Sequence, residues 1–323
     1  MTTFPREYEL EEYQIELMGS IKVLVDAWKS GDASATVELH KLINSFDYSI
    51  LPYAVKNEFF VTSHKLKKYE ENPYFAKLLY VDLIPSCKDG ESKYDIGLAV
   101  DRRVTYGEKD YAARFLVKNR PSHELQVECW QNQQCILSES EGKTVDKCTD
   151  EYRSRHFFPE RPVKKNLLAL MEGLPCKGEL DHFDEERCVI GDTKTTMNIH
   201  TFDPRWYTLQ FGFYFVLVLK EMEAKLSDTA FETFRRKLHA ECYVVDKFAP
   251  FSRSEKFIYT NATLQEQWPL IMDLLRKWKD SEDSGIWPFT LDLNNPQDRK
   301  RIYDSELWPH LQEWKDKMEP IYL

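Results

Sequence analysis

The stretch LPCKGELDHFDEERCVIGDTKTT (Leu174–Thr196) gathers two carboxylates and a lysine in two β-like runs. Asp181 lies in the first run; Asp192 and Lys194 lie in the second, one residue apart. Side chains alternate along a strand, so residues two apart share a face. Glu179 and Asp181 therefore point one way in the first run, and Asp192 and Lys194 point together in the second. If the runs pair as a hairpin through Asp184-Glu185-Glu186-Arg187, the two sets converge. Carboxylates held that close repel each other unless a cation stands between them. Hard oxygen ligands with room for water suit Mg²⁺ or Mn²⁺. A lysine beside such an ion could orient a water for attack and stabilise charge developing on a phosphate. These are the requirements of metal-assisted phosphodiester hydrolysis. A surface hairpin with exposed acids and an ion-paired lysine would show the same spacing, and the pattern alone leaves both readings open.

A second pair narrows the choice. Gln210 and Tyr214 are four residues apart inside the otherwise apolar Tyr207–Leu219 segment, hence on one face of a helix. Buried there, an amide and a phenol must find polar partners. They could satisfy each other within the core, or face the lysine and a bound phosphate.

Taken in order, Gly178, Asp181, Asp192, Lys194, Thr195, Gln210 and Tyr214 resemble the PD-(D/E)XK nucleases of the RecB type. The pattern of that family is G-x-x-D, an apolar strand ending D/E-x-K-T, and Q-x-x-x-Y on the next helix. Thr62-Ser63-His64-Lys65-Leu66 with Asn72-Pro73 resembles its Ser-rich helix start and Pro turn. Gly97-x-x-x-Asp101 stands where the family has G-x-x-x-H, an aspartate replacing the metal-ligand histidine. His200-Thr201-Phe202, the segment Cys242–Lys247 with Pro250, and Gly285-Ile286-Trp287-Pro288 are most similar to the exonuclease VIII (RecE) and lambda exonuclease group.

The resemblance, which covers roughly residues 60 to 290, implies an α/β fold with a restriction-endonuclease-like core, a central mixed sheet flanked by helices, and an exonuclease domain over 59–290. The order of elements adds a helical N-terminal arm over residues 1–58 and a helical tail over 291–323, neither of which the resemblance covers. Mg²⁺ or Mn²⁺ would be held by Asp181, Asp192, the Thr193 carbonyl and Asp101. Lys194 would position the attacking water, and Gln210 and Tyr214 would hold Lys194 or the scissile phosphate. The implied reaction is digestion of linear DNA from an end, leaving 5′-phosphates, in phage-type recombination or DNA processing. Ring-type homo-oligomers and a single-strand annealing partner follow by the same resemblance. A structure-specific or defence endonuclease of the same superfamily is the alternative.

The elements that must position these residues are legible from periodicity. Tyr13, Leu17, Ile21, Leu24 and Trp28 form a helical stripe within residues 7–29, and a second helix is expected over 33–46. Thr62-Ser63 signals a helix start, and residues 94–106 a helix carrying Asp101. Alternation predicts strands over 114–117, 125–130 and 134–137, whereas 147–170 reads as helical toward its end. Asp203-Pro204 starts a helix reaching about Lys225. Residues 242–247 and 256–259 form a strand pair; helices follow over 264–279 and 304–318.

With 323 residues, 42% of them hydrophobic, the chain can build a sizeable core. Its formal charge of −10 repels polyanions, so DNA as a partner requires local basic patches. Arg102, Arg103, Arg153, Arg155, Lys164 and Lys165 are the candidates; aromatics at His156-Phe157-Phe158-Pro159 could stack on frayed bases. Seven scattered cysteines with no CxxC pair suggest reduced thiols, a cytoplasmic setting and no iron–sulphur cluster; a bacterial or phage-infected host is what the resemblance implies. A polar, acidic N-terminus and a longest apolar run of Phe211–Leu219 give no sign of a signal peptide or a membrane span.

Overall fold

The computed structural model of the chain describes residues 12–45, 48, 53–82, 92–131, 134–155, 164–247, 253–292 and 294–303. The expected tail helix over 304–318, the aromatics at 156–159 and Pro250 lie outside the described residues. The chain divides into two compact units: residues 1–89, 166–178 and 268–323 form the first, and residues 90–165 and 179–267 the second.

In the first unit, helices Glu12–Lys29 and Ala33–Ile43 pack through Met18, Ile21, Val25, Trp28, Leu39 and Ile43, which continue into Val55, Phe60 and Leu168. The stripe expected from sequence supplies this core. Helix Ser63–Glu71 begins where Thr62 accepts a hydrogen bond from the Lys65 N–H, as its side chain type favours. Helix Pro73–Tyr80 follows at once, capped by Asn72 with proline in its first turn. Strands β3 (Lys165–Met171) and β4 (Leu174–Leu180) pair with each other, and Glu172 and Gly173 turn between them at φ 51° and 76°. Two consecutive residues with positive φ suit a tight hairpin turn. The helical expectation for the end of 147–170 is corrected here. Helix formation is confined to Glu139–Ser154, started by a capping box of Ser138 and Glu141, and residues 165–171 turn back as a strand.

The second unit carries a four-stranded mixed sheet in the order β5-β6-β7-β8: His182–Asp184, Val189–Thr196, His239–Asp246 and Ser254–Tyr259. β5 runs antiparallel to β6, β6 parallel to β7, and β7 antiparallel to β8. The parallel step requires a crossover, which helices Thr208–Glu223 and Asp228–Lys237 provide. Thr208–Glu223 is buried nearly all round, Phe211, Phe213 and Phe215 completely, as an apolar helix without a polar face must be. Helices Ser92–Thr105 and Glu139–Ser154 bring Ile96, Ala99, Val100, Val145, Cys148 and Tyr152 onto Tyr243 and Val245 of β7.

Two short strands, β1 (Phe115–Val117) and β2 (Cys135–Leu137), pair in parallel. The strand expected over 125–130 is instead part of the helix His123–Gln131. There the Ser122 hydroxyl accepts from the Leu125 N–H, an N-terminal turn that six residues of alternation cannot reveal. The expected hairpin is narrower than the sequence suggests. Only His182–Asp184 pairs with β6, while Leu174–Leu180 pairs with β3.

Candidate active site

Register brings the carboxylates together. His182 stands opposite Gly191, so Asp181 and Asp192 are the next residues along their strands beyond that pair. Asp181 ends the ladder in a bend, and its side chain closes over the β6 backbone. One of its oxygens, Oδ2, accepts from both the N–H and the hydroxyl of Thr193, each at 2.8 Å. Within a strand the N–H and C=O of one residue face the same edge. The Thr193 carbonyl therefore also faces the Asp181 side, beyond the end of β5.

The two faces of β6 recruit different helices. On one, Asp192 is in close ion-paired contact with Lys194, as the two-residue spacing predicts. Gln210, from the helix Thr208–Glu223, donates to Asp192 Oδ1 at 3.3 Å and to the Tyr214 hydroxyl at 3.0 Å. The Lys194 ammonium lies 5.1 Å from the centre of the Tyr207 ring. On the other face, the Ser92–Thr105 helix approaches so closely at Gly97 that a Cβ there would meet the Thr195 hydroxyl at 2.9 Å. One helical turn later, Asp101 lies within 3.5 Å of the Thr193 hydroxyl.

Lys164 joins the acids on that side. Its ammonium reaches Asp101 Oδ2 at 2.9 Å, Glu179 Oε1 at 3.3 Å and Asp181 Oδ1 at 3.4 Å. The Tyr106 hydroxyl donates to Glu179 at 3.3 Å. Four carboxylates thus face two ammonium groups, and with all of them ionised the cluster is short of positive charge. Burial lifts Asp192 to about 7, the Asp181 charge adding to the rise and Lys194 opposing it. Asp101 rises for the same first reason, against the pull of Lys164. Asp181 goes the other way: burial would raise it, but Lys164, Lys194 and the two Thr193 hydrogen bonds hold it below the ordinary carboxylate value. Burial opposes the charge of Lys194, yet Asp192 and Asp181 keep its proton far more firmly bound than in a free lysine.

Asp101, Asp181, Asp192, Thr193, Lys194, Gln210 and Tyr214 are therefore gathered in one unit, in two bonded groups: Asp101, Asp181 and Thr193 with Lys164, and Asp192 with Lys194, Gln210 and Tyr214. The expected DNA-contacting residues fare differently. Arg102 is buried, against the Tyr106 ring and 3.9 Å from Asp110. Arg103 pairs with Glu108 and Asp146, Arg153 with Glu108, Arg155 with Glu151, and Lys165 with Glu221. Arg153 and Arg155 are exposed, whereas Lys164 belongs to the carboxylate cluster.

Sequence reasoning missed Tyr152 altogether. Its buried hydroxyl donates to the Lys194 carbonyl at 2.6 Å and the Tyr243 carbonyl at 2.9 Å, tying β6 to β7 beneath the lysine. No spacing rule marks it, since its partners lie 42 and 91 residues away.

No helix among the described residues is long and apolar enough to cross a membrane. No family model matches the chain, and no curated protein matches it significantly. By structure it is similar to a protein from Eubacterium rectale whose crystal structure is described as that of a "Putative exonuclease". The TM-score is 0.52 at 12% identity, with 73% of this chain and 86% of that one covered. At that identity the likeness is one of fold alone, a mixed α/β arrangement.

Proposed function

We propose that this protein is a metal-dependent deoxyribonuclease of the PD-(D/E)XK type, acting on linear DNA from an end and leaving 5′-phosphate products. The observation that carries this reading is Asp181 bound to the Thr193 backbone N–H, next to the Asp192–Lys194 ion pair on the same strand, with Gln210 bridging Asp192 and Tyr214. The fold likeness to a protein described as a "Putative exonuclease" supports it.

The chemistry of the donor set fits a hard divalent cation. The cluster is buried, oxygen-rich and short of positive charge, and Mg²⁺ is commonly held by one or two carboxylates with water completing its shell. Among the described residues no three His, Cys, Asp or Glu side chains form a set able to hold an ion by themselves. The protein's share would then be Asp181, Asp192 and the Thr193 carbonyl, with Asp101 kept as the partner of Lys164. Bound there, the ion would lower the pKa of a water and offset charge on the phosphate.

The chain's own residues do the rest. Thr193 fixes the rotamer of Asp181, and Gln210 fixes that of Asp192. Lys194, permanently charged, orients the attacking water and stabilises negative charge building on the phosphate oxygens. Tyr214 keeps its proton, because burial and the Asp192 charge raise its pKa, and it orients Gln210. A role in phage-type recombination, alongside a single-strand annealing partner, extends the same reading.

Linear and covalently closed circular duplexes of one sequence, incubated with the protein and Mg²⁺, test the proposal. Degradation of the linear form alone is the expected result. Cleavage of the circle would make the enzyme an endonuclease, and no cleavage of either would remove the nuclease reading.

A further inference from the structure

The proposed chemistry leaves Lys164 without a task, although its ammonium meets three carboxylates. Its side chain is only 12% exposed, and its ammonium faces Asp101, Glu179 and Asp181 at 2.9, 3.3 and 3.4 Å. The Tyr106 ring lies against it, 5.2 Å from ammonium to ring centre. Such a group stands where carboxylates would otherwise repel one another, so it holds Asp101, Glu179 and Asp181 together when no other cation is present.

The division of labour on Asp181 gives this a consequence. Oδ2 is committed twice over, to the Thr193 N–H and hydroxyl. Oδ1 is the oxygen left for another cation, and it is the one that Lys164 faces. We propose that Lys164 is a resident counter-ion that competes with the divalent cation for Asp181 Oδ1 and thereby sets how tightly the site takes metal. The inference rests on the metal-dependent reading above. Lys164 is a positioning residue in this account: it touches the carboxylates, and its charge weakens metal binding while keeping the metal-free site assembled.

The experiment is a calorimetric titration of the full chain with Mn²⁺, comparing wild type, K164Q and K164R, with circular dichroism checking the fold of each. A unit charge a few ångströms from a divalent ion is worth tenfold or more in affinity, on the order of magnitude set by Coulomb repulsion at a partly screened site. K164Q is therefore expected to bind Mn²⁺ at least about tenfold more tightly. K164R, which keeps the charge, should stay within roughly threefold of wild type. A K164Q chain that folds only with Mn²⁺ present is the same result in another form, the ion having replaced the ammonium. Unchanged Mn²⁺ affinity in K164Q, or failure of that variant to fold even with Mn²⁺, overturns the inference and leaves the metal reading intact when wild type binds the ion. Absence of Mn²⁺ binding by both wild type and K164Q overturns the two together.

Discussion

Thr193 binds a single oxygen of Asp181 twice, through its backbone N–H and through its hydroxyl, each at 2.8 Å. The first bond belongs to any residue at this position, whereas the second requires a hydroxyl. Thr193→Val therefore keeps the shape and one bond while freeing Asp181 to rotate. The expected outcome is a loss of about 1 kcal/mol in denaturant-measured stability, the ordinary worth of one such bond. DNA hydrolysis should fall by roughly tenfold, as misplacement of a positioned group costs rate. Thr193→Ser should restore both, and equal losses in Ser and Val would show that the hydroxyl is not the cause.

Gln210 makes the corresponding bond to Asp192 while also donating to Tyr214. Truncation to Ala leaves the Asp192 carboxylate without its one amide donor and opens a small space beside it. Single-turnover rates for Gln210→Ala should drop by about 10- to 100-fold, with DNA affinity nearly unchanged, as expected for a residue that orients a reacting group. A change confined to affinity would instead place Gln210 in substrate binding.

Tyr152 is predicted to be structural support for the site. Replacing it with Phe removes one hydroxyl that serves the carbonyls of both Lys194 and Tyr243. Those carbonyls lose a buried donor, so Tyr152→Phe should cost about 1–3 kcal/mol in urea unfolding. Stability unchanged within error would show that water replaces the hydroxyl.

A pH signature is expected from the first unit. Lys65 is buried, its ammonium donating to the Glu58 carbonyl at 3.2 Å, and burial pulls its pKa down to about 8. In the unfolded chain it keeps the ordinary value of 10.5. Below pH 8 it is protonated in both states, and the folded state bears the full cost of a buried charge. Between 8 and 10.5 the unfolded state holds more protons, so stability rises with pH. The rise attributable to Lys65 is about 3 kcal/mol. Lys65→Met should remove that increment and be the more stable protein at pH 7, measured by denaturant unfolding across pH 7 to 11. An identical pH profile in the variant would contradict the assignment.

Much of the site was legible because its rules are local. Alternation placed Asp192 beside Lys194, and the four-residue spacing placed Gln210 beside Tyr214. The turn at 185–188 delivered Asp181 next to β6, although the strand before it pairs elsewhere. Sequence points Lys164 toward DNA because the acids that enclose it include Asp101, 63 residues earlier, and nothing in its own neighbourhood encodes them. The segment 125–130 was misread for a related reason. Over six residues a weakly amphipathic helix and an alternating strand give the same pattern, and the cap at Ser122 decides between them.

Asp192 and Lys194 are the residues proposed to perform the chemistry. Hydrolysis of end-labelled linear duplex DNA with Mg²⁺, comparing wild type with Asp192→Asn and Lys194→Ala, tests that role. Asp192→Asn is close to isosteric but leaves the Lys194 ammonium without its ion-pair partner, so circular dichroism first checks that the variant is folded. The expected result is a fall of about 10³-fold or more for each folded variant, the scale on which removing a charge-stabilising group slows such reactions. Folded Asp192→Asn or Lys194→Ala protein that digests linear DNA at the wild-type rate would contradict it.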